Sequence, residues 1–192
     1  MTFTRRNLPH LHFPFGAYFV TSCLHNSLPV PFSSLINNLS GNNNDDIILE
    51  LKIYDNILDS GKFGNQHLSN QEIVEVVKHC IQYADKKEYD LIAYSIMPNH
   101  FHLLFDLIKG NKGLSKIMQS IKGISARRSN LILNRTGTFW QDESYDRLVR
   151  DQKEFLAVLR YIMYNPVKAG LVENPFDWEH SYCHPDYIEF IS

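Results

Sequence analysis

Two histidines stand one residue apart, His100 and His102, within the run Ala93-Tyr94-Ser95-Ile96-Met97-Pro98-Asn99-His100-Phe101-His102-Leu103-Leu104-Phe105. The run otherwise reads as strand, and side chains alternate across a strand. Both imidazoles therefore point to one face while Phe101 points into a core. Two imidazoles a few ångströms apart can hold one divalent metal ion. A His-x-His pair by itself is weak evidence, because many such pairs only make hydrogen bonds. It needs a third ligand, a reactive group and a surface for a substrate.

The segment from Asp151 to Gly170 offers the first two. Phe155, Val158, Leu159 and Ile162 repeat at helical spacing and make a stripe that can dock on a sheet. Tyr161 lies at the edge of the stripe, and Asn165, four residues on, shares its helical face. A phenol and an amide oxygen one turn apart, facing a His-x-His strand, would complete a metal and nucleophile constellation. Each has a plainer reading. Tyr161 can be an amphipathic core tyrosine. Asn165-Pro166 can be the N-cap and first-turn proline of a new short helix, since proline disfavours helical geometry in the residue before it.

The elements that must position these groups follow from pattern. Residues 16–24 read as a strand rich in aromatic and β-branched side chains. Residues 37–46 are a polar loop, and Ile47 to Tyr54 reads as a short extended segment. Ser69 with Glu72 forms a capping box that opens a helix ending near Lys87, with Ile73, Val76, Val77 and Ile81 at helical spacing. Residues 90–97 and 100–107 read as two strands joined by the turn Met97-Pro98-Asn99. A second helix spans residues 114–133, and residues 137–150 hold one or two short strands with a turn near Asp142. Asp151, supported by Glu154, caps the third helix. This order predicts an α+β fold: a ferredoxin-like antiparallel sheet with helices packed on it and the His pair on a central strand. No linker divides residues 1–192, which read as one domain with an insertion at about 37–66.

Composition is that of a globular chain, with 44% hydrophobic residues, which argues against disorder. No apolar run is long enough to span a membrane and no signal peptide is evident, and the three separated cysteines form no disulfide framework. A reducing cytoplasm is the expected setting. The net charge of −2 hides a strong polarity. Residues 107–141 contain no Asp or Glu but carry Lys109, Lys112, Lys116, Lys122, Arg127, Arg128 and Arg135, whereas residues 42–90 are acidic. Such a distribution can present a basic face to a polyanion, although counter-charges from tertiary neighbours would neutralise it.

Taken together, Met97-Pro98-Asn99-His100-Phe101-His102-Leu103-Leu104, Trp140-Gln141, Tyr145-Asp146-Arg147 and Tyr161-x-x-x-Asn165-Pro166-Val-Lys-Ala-Gly-Leu171-Val172 resemble the IS200-like transposases, single-tyrosine enzymes of the HUH superfamily, in the REP-associated branch. The resemblance runs over roughly residues 14–182 and implies residue roles. His100 and His102 match the two histidine metal ligands, Asn165 the helix-borne third ligand and Tyr161 the nucleophile; Tyr164 is the competitor for that role. It implies Mg²⁺ or Mn²⁺, and cleavage and rejoining of single-stranded DNA near hairpins through a 5′-phosphotyrosine intermediate. DNA-binding candidates are Lys112, Lys116, Lys122, Arg127, Arg128, Trp140 and Arg147, with Phe139 and Tyr145 as further stacking aromatics and Arg5 and Arg6 as additional phosphate contacts. Core packing is the alternative for Trp140. Relatives of this kind act as homodimers or as monomers. Two other functions compete: a domesticated hairpin-DNA-binding protein that does not cut, and a phosphodiesterase built on His25-Asn26-Ser27 and His67-Leu68-Ser69.

Overall fold

The computed structural model describes residues 2–5, 9–12, 16–29 and 46–191, with side chains from 16–29 and 51–191. Strands β1 (Thr2–Arg5) and β2 (Pro9–His12) form a small antiparallel pair. Arg5 is thus in a strand, while Arg6 and the polar loop through residue 45 lie outside the described residues. The main chain of the fold then runs β3 (Gly16–Cys23), α1 (Asp46–Asp59), α2 (Gln71–Ala84), β4 (Tyr89–Ile96), β5 (His100–Leu107), α3 (Leu114–Ile132), β6 (Tyr145–Leu148), α4 (Gln152–Lys168) and β7 (Ser181–Cys183).

Strands β6-β3-β5-β4-β7 form one five-stranded sheet whose neighbours are all antiparallel. Taking β3, β4, β5 and β6 as the four strands of a βαββαβ unit, their spatial order is fourth, first, third, second. That is the expected ferredoxin-like arrangement, extended at one edge by β7. Alternation along β3 and β5 splits the core into two layers. Tyr18, Val20, Phe101, Leu103 and Phe105 pack against Ile73, Val77 and Ile81 of α2 and Ile117 and Ile121 of α3. Phe19 and Leu104 face the other way, onto Val158, Leu159 and Ile162 of α4 and Leu51 of α1. His100 and His102 have the parity of Leu104 and therefore lie on the α4 side.

Several local readings change. The segment expected to be extended at 47–54 is helical, within α1. Leu51, Tyr54 and Leu58 are buried at three- and four-residue spacing, so one face of α1 is apolar and docks. Asn70, not Ser69, caps α2: its Oδ1 accepts from the backbone N–H of Glu72 at 2.9 Å and of Ile73 at 3.4 Å. Ser69 is held instead in a 3-10 turn, His67–Ser69, whose Leu68 N–H donates to the Pro98 carbonyl. Helix α2 ends at Ala84, before Asp85 turns extended and Lys86 takes a φ of 60°. One strand, β6, forms between residues 137 and 150. Asp151 caps α4 as expected, accepting from the Glu154 N–H at 2.8 Å.

Helix α4 also runs through Pro166 instead of breaking before it. Asn165 keeps helical hydrogen bonding, its carbonyl accepting from Ala169 N–H at 2.9 Å, and Gly170 ends the helix with a φ of 70°. Proline's lost donor and ring clash act on the turn before it. The turn after it survives, because Asn165 is fixed by a buried side chain.

Candidate metal and nucleophile site

His100 and His102 enter from β5 with no solvent exposure, and their Nε2 atoms are 3.1 Å apart. The Nδ1 of His100 donates to Asn99 Oδ1 at 2.7 Å. The Asn99 amide is oriented by donating from Nδ2 to the Leu58 carbonyl, also at 2.7 Å. The Nδ1 of His102 is 2.8 Å from Thr21 Oγ1 on the adjacent strand β3. When Thr21 Oγ1 accepts from His102 Nδ1, both Nε2 atoms carry lone pairs free for a cation. That is how histidine ligands are commonly oriented by a partner on the far nitrogen. Burial, and then the neighbouring His102, push the His100 imidazole down to about 3, so it is neutral near pH 7.

Helix α4 brings Tyr161 and Asn165 to the same spot. The rings of Tyr161 and His102 have centroids 5.5 Å apart, and Asn165 Nδ2 is 3.2 Å from His102 Nε2. The expectation that these groups meet face to face holds within one chain. Tyr164 is instead 43% exposed.

Sequence reasoning missed Asp55. It is fully buried on α1, and its Oδ2 accepts from both the Tyr161 hydroxyl and Asn165 Nδ2, and lies 3.4 Å from His102 Nε2. The Tyr161 hydroxyl is also 3.0 Å from the Leu51 carbonyl. Burial alone would raise the Asp55 carboxyl, but the surrounding His102, His100 and Tyr161 outweigh it and hold it below the ordinary carboxylate range. Burial, reinforced by the Asp55 charge, drives the Tyr161 phenol well above its usual value. The neighbouring Asp59 carboxyl is pushed up to about 6 by burial and by Asp55.

The donor set fits a divalent cation. Asp55, His100 and His102 each offer a ligand atom, all within 4.8 Å of one another. The Oδ1 atoms of Asp55 and Asn165 are buried without hydrogen-bond partners. An amide's oxygen and nitrogen have the same shape, so a flip of Asn165 puts its oxygen where Nδ2 now sits. Two nitrogens on adjacent corners of an octahedron with bonds near 2.1 Å stand roughly 3 Å apart.

The DNA-binding candidates divide. Lys112, Lys116, Arg127 and Arg128 are exposed along or just before α3. They lie across the sheet from the histidines, because α3 packs on the Phe101 face. Lys112 additionally pairs with Glu88 at 3.3 Å. Lys122 is engaged internally: its Nζ donates to the carbonyls of Gln141 and Asp142 at 2.7 and 2.8 Å and contacts Ser144 Oγ at 3.2 Å. Arg147 stands opposite Phe19 and so shares the site's face, where its Nε donates to the buried carboxylate of Glu154 at 2.6 Å. Trp140 is in the core, with its ring edge-on to Phe101 and its indole N–H donated to Ser125 Oγ at 2.9 Å. Trp140→Ala is therefore expected to cost ~3–5 kcal/mol in a denaturant titration, a loss a surface stacking residue would not show. His67 stacks on Phe139 and faces Arg135 Nη1 at 2.9 Å, while His25 is exposed.

The neutral buried His100 has a consequence for pH. Its folded pKa lies below the ordinary 6.5, so the unfolded chain binds the extra proton first. Stability is then full above pH 6.5 and falls as the solution is acidified toward the folded value. The His100 contribution is expected to fall by about 3 kcal/mol between pH 6.5 and pH 4, opposed over the same range by Asp59, whose raised carboxyl takes up a proton in the folded state. The difference in urea midpoint between the metal-free wild type and His100→Gln, followed over that range, should therefore shrink on acidification.

Comparison with known proteins adds a family. Residues 61–165 match the family described as "Transposase IS200 like". A Haemophilus influenzae protein named as a REP-associated tyrosine transposase is 32% identical over 107 residues, 51% of this chain and 61% of that protein. The REP-associated tyrosine transposase of Escherichia coli K12 is 26% identical over 113 residues, 58% of this chain and 66% of the relative. The chain thus spans just under two thirds of the length of these relatives. A solved REP-associated tyrosine transposase bound to a REP hairpin superposes with a TM-score of 0.59 at 20% identity, covering 94% of this chain and 82% of the other. At that identity the likeness establishes the shared fold. Among the described residues no helix is long and apolar enough to cross a membrane.

Proposed function

We infer that this chain, which belongs to the IS200-like transposase family, cuts and rejoins single-stranded DNA beside hairpins, with Tyr161 as nucleophile and His100, His102 and Asn165 as ligands of Mg²⁺ or Mn²⁺. One observation carries the reading. A phenol, two imidazole nitrogens and an amide, drawn from two distant segments, converge in one buried cluster. When bound, the cation supplies Lewis-acid charge that polarises the scissile phosphate and offsets the charge that develops on it.

The chain's residues do the rest. The Tyr161 oxygen attacks phosphorus, forming a 5′-phosphotyrosine bond as the bond to the 3′-oxygen breaks. The phenolic proton is lost and the departing 3′-oxygen gains one. A 3′-hydroxyl later attacks the phosphotyrosine and releases Tyr161, so the phosphodiester energy is kept. A phenol that is half-buried and tied to a carboxylate ionises poorly, so the cluster must rearrange around Tyr161 when DNA and cation arrive. Asn99 and Thr21 hold the two imidazoles in the ligand orientation throughout.

The basic residues of α3 suit contact with a hairpin stem, the strand then passing around the sheet to reach Tyr161. The solved structural neighbour is bound to a hairpin, which supports that partner here. The test is incubation of the full chain with Mn²⁺ and a pool of single-stranded hairpin oligonucleotides with varied flanks. A DNA-linked band that survives denaturant is expected. Hairpin retention with no such band, Mn²⁺ present, would favour a binding protein that does not cut. Release of free 5′-phosphate without linkage would favour a phosphodiesterase.

A further inference from the structure

We propose that Asp55 is the anionic member of the metal-ligand set, binding the cation through one carboxylate oxygen while the other holds the Tyr161 hydroxyl. The inference rests on the functional reading above and extends it to α1, a helix that precedes the residues matched to the family.

Chemistry and geometry agree on this role. Imidazole and amide oxygen are neutral ligands, whereas Mg²⁺ and Mn²⁺ favour anionic oxygen. Asp55 supplies the missing charge at no solvent exposure, and its Oδ2, the oxygen that holds Tyr161, lies 3.4 Å from His102 Nε2. A buried carboxylate is costly unless its lone pairs are satisfied. Oδ2 accepts from the Tyr161 hydroxyl, a bond that remains when the Asn165 amide is turned to present its oxygen, but Oδ1 has no partner. The two oxygens are thus already divided, one engaged with the nucleophile and one unclaimed.

The placement of Asp55 is set by its helix and not by chance. Leu51, Tyr54 and Leu58 seat α1 by burial. Its last turn is pinned to the histidine strand, because Asn99 Nδ2 donates to the Leu58 carbonyl at 2.7 Å while Asn99 Oδ1 accepts from His100. Asn99 therefore couples the helix that delivers Asp55 to the orientation of a ligand imidazole. One carboxylate sets both cation affinity and the position of the phenol beside the cation. An Asp55 that only oriented its neighbours would cost no more than about 10- to 100-fold in cation affinity.

Mn²⁺ titration of the full-length protein, followed by the electron paramagnetic resonance signal of the free ion, separates the two. Asp55→Asn keeps the shape and removes the charge, and is expected to weaken Mn²⁺ binding by more than about 100-fold, beyond the 10- to 100-fold of a residue that only orients a ligand. Tyr161→Phe, which removes only the hydroxyl, should leave Mn²⁺ affinity unchanged. In the wild type, hydrogen exchange across residues 51–59 should slow when Mn²⁺ is added, a readout that holds if Asp55→Asn does not fold. A loss of about 100-fold or less in Asp55→Asn, together with a greater loss in His102→Ala, would overturn the ligand role of Asp55 and leave the functional reading standing. Undiminished Mn²⁺ binding in His102→Ala as well would overturn the metal site itself. Unchanged exchange across 51–59 on Mn²⁺ addition would also overturn the proposal.

Discussion

Tyr161→Phe is expected to reduce the covalent protein–DNA adduct to background while the folded protein still retains hairpin DNA. The substitution is narrow. The ring keeps its contacts with Phe19, at 6.2 Å between centroids, and with His102, at 5.5 Å. Only the hydroxyl goes, and with it the hydrogen bonds to Asp55 and to the Leu51 carbonyl. Losing a hydrogen bond to a charged group costs ~1.5–3 kcal/mol, so the variant should fold with a lowered denaturation midpoint. Adduct formation has no such reserve under the proposed mechanism, whose phosphotyrosine bond requires that oxygen. The nearest competitor, Tyr164, is 43% exposed on another face of α4, and Tyr164→Phe should form the adduct normally. A denaturing gel with end-labelled oligonucleotide reads both variants, and filter binding reads retention. If Tyr161→Phe still forms the adduct and Tyr164→Phe does not, the nucleophile is Tyr164.

What sequence could show of this arrangement follows how locally each feature is encoded. Strand β5 spans the expected residues because alternation and the Pro98 turn are local signals. The common face of Tyr161 and Asn165 is legible as one helical turn, yet from spacing alone Pro166 makes a helix break the better reading for Asn165. What settles it is tertiary, the burial of the Asn165 amide against Asp55. Helix α1 is hidden from a strand reading of Ile47 to Tyr54, which alternates poorly, because its apolar face repeats through Leu51, Tyr54 and Leu58. Asp55 then hid inside a run of acids. Nothing local separates a carboxylate that will be fully buried from its solvated neighbours, and its partners Tyr161 and Asn165 lie 106 and 110 residues away. Burial of a helical acid on the Leu51–Leu58 stripe was the one available signal, and it required the correct period. Trp140 shows the same limit. An aromatic beside a basic stretch suits base stacking or a core equally, and only the Ser125 hydroxyl that takes its N–H decides.

His102→Ala should abolish both Mn²⁺ binding and Mn²⁺-dependent cleavage, the second large effect. His102 is the hub of the cluster: Nδ1 is 2.8 Å from Thr21 Oγ1, and Nε2 lies 3.1 Å from His100 Nε2, 3.2 Å from Asn165 Nδ2 and 3.4 Å from Asp55 Oδ2. Its ring also stacks on Phe19 at 5.7 Å. Loss of a partner that only orients a ligand already costs 10- to 100-fold in metal affinity, so loss of a ligand itself should exceed about 100-fold. The metal-free variant should also be less stable by ~2–4 kcal/mol, since a buried ring is replaced by a cavity and Thr21 is left without its partner. His100→Ala should give the same loss of Mn²⁺ binding with a different structural signature, freeing Asn99 Oδ1 at the α1 contact instead of Thr21. Calorimetric Mn²⁺ titration beside the adduct gel separates the effects. A His102→Ala protein that is folded, fails to bind Mn²⁺ and still forms the Tyr161 adduct at wild-type rate would remove the cation from the chemistry and leave the nucleophile in place.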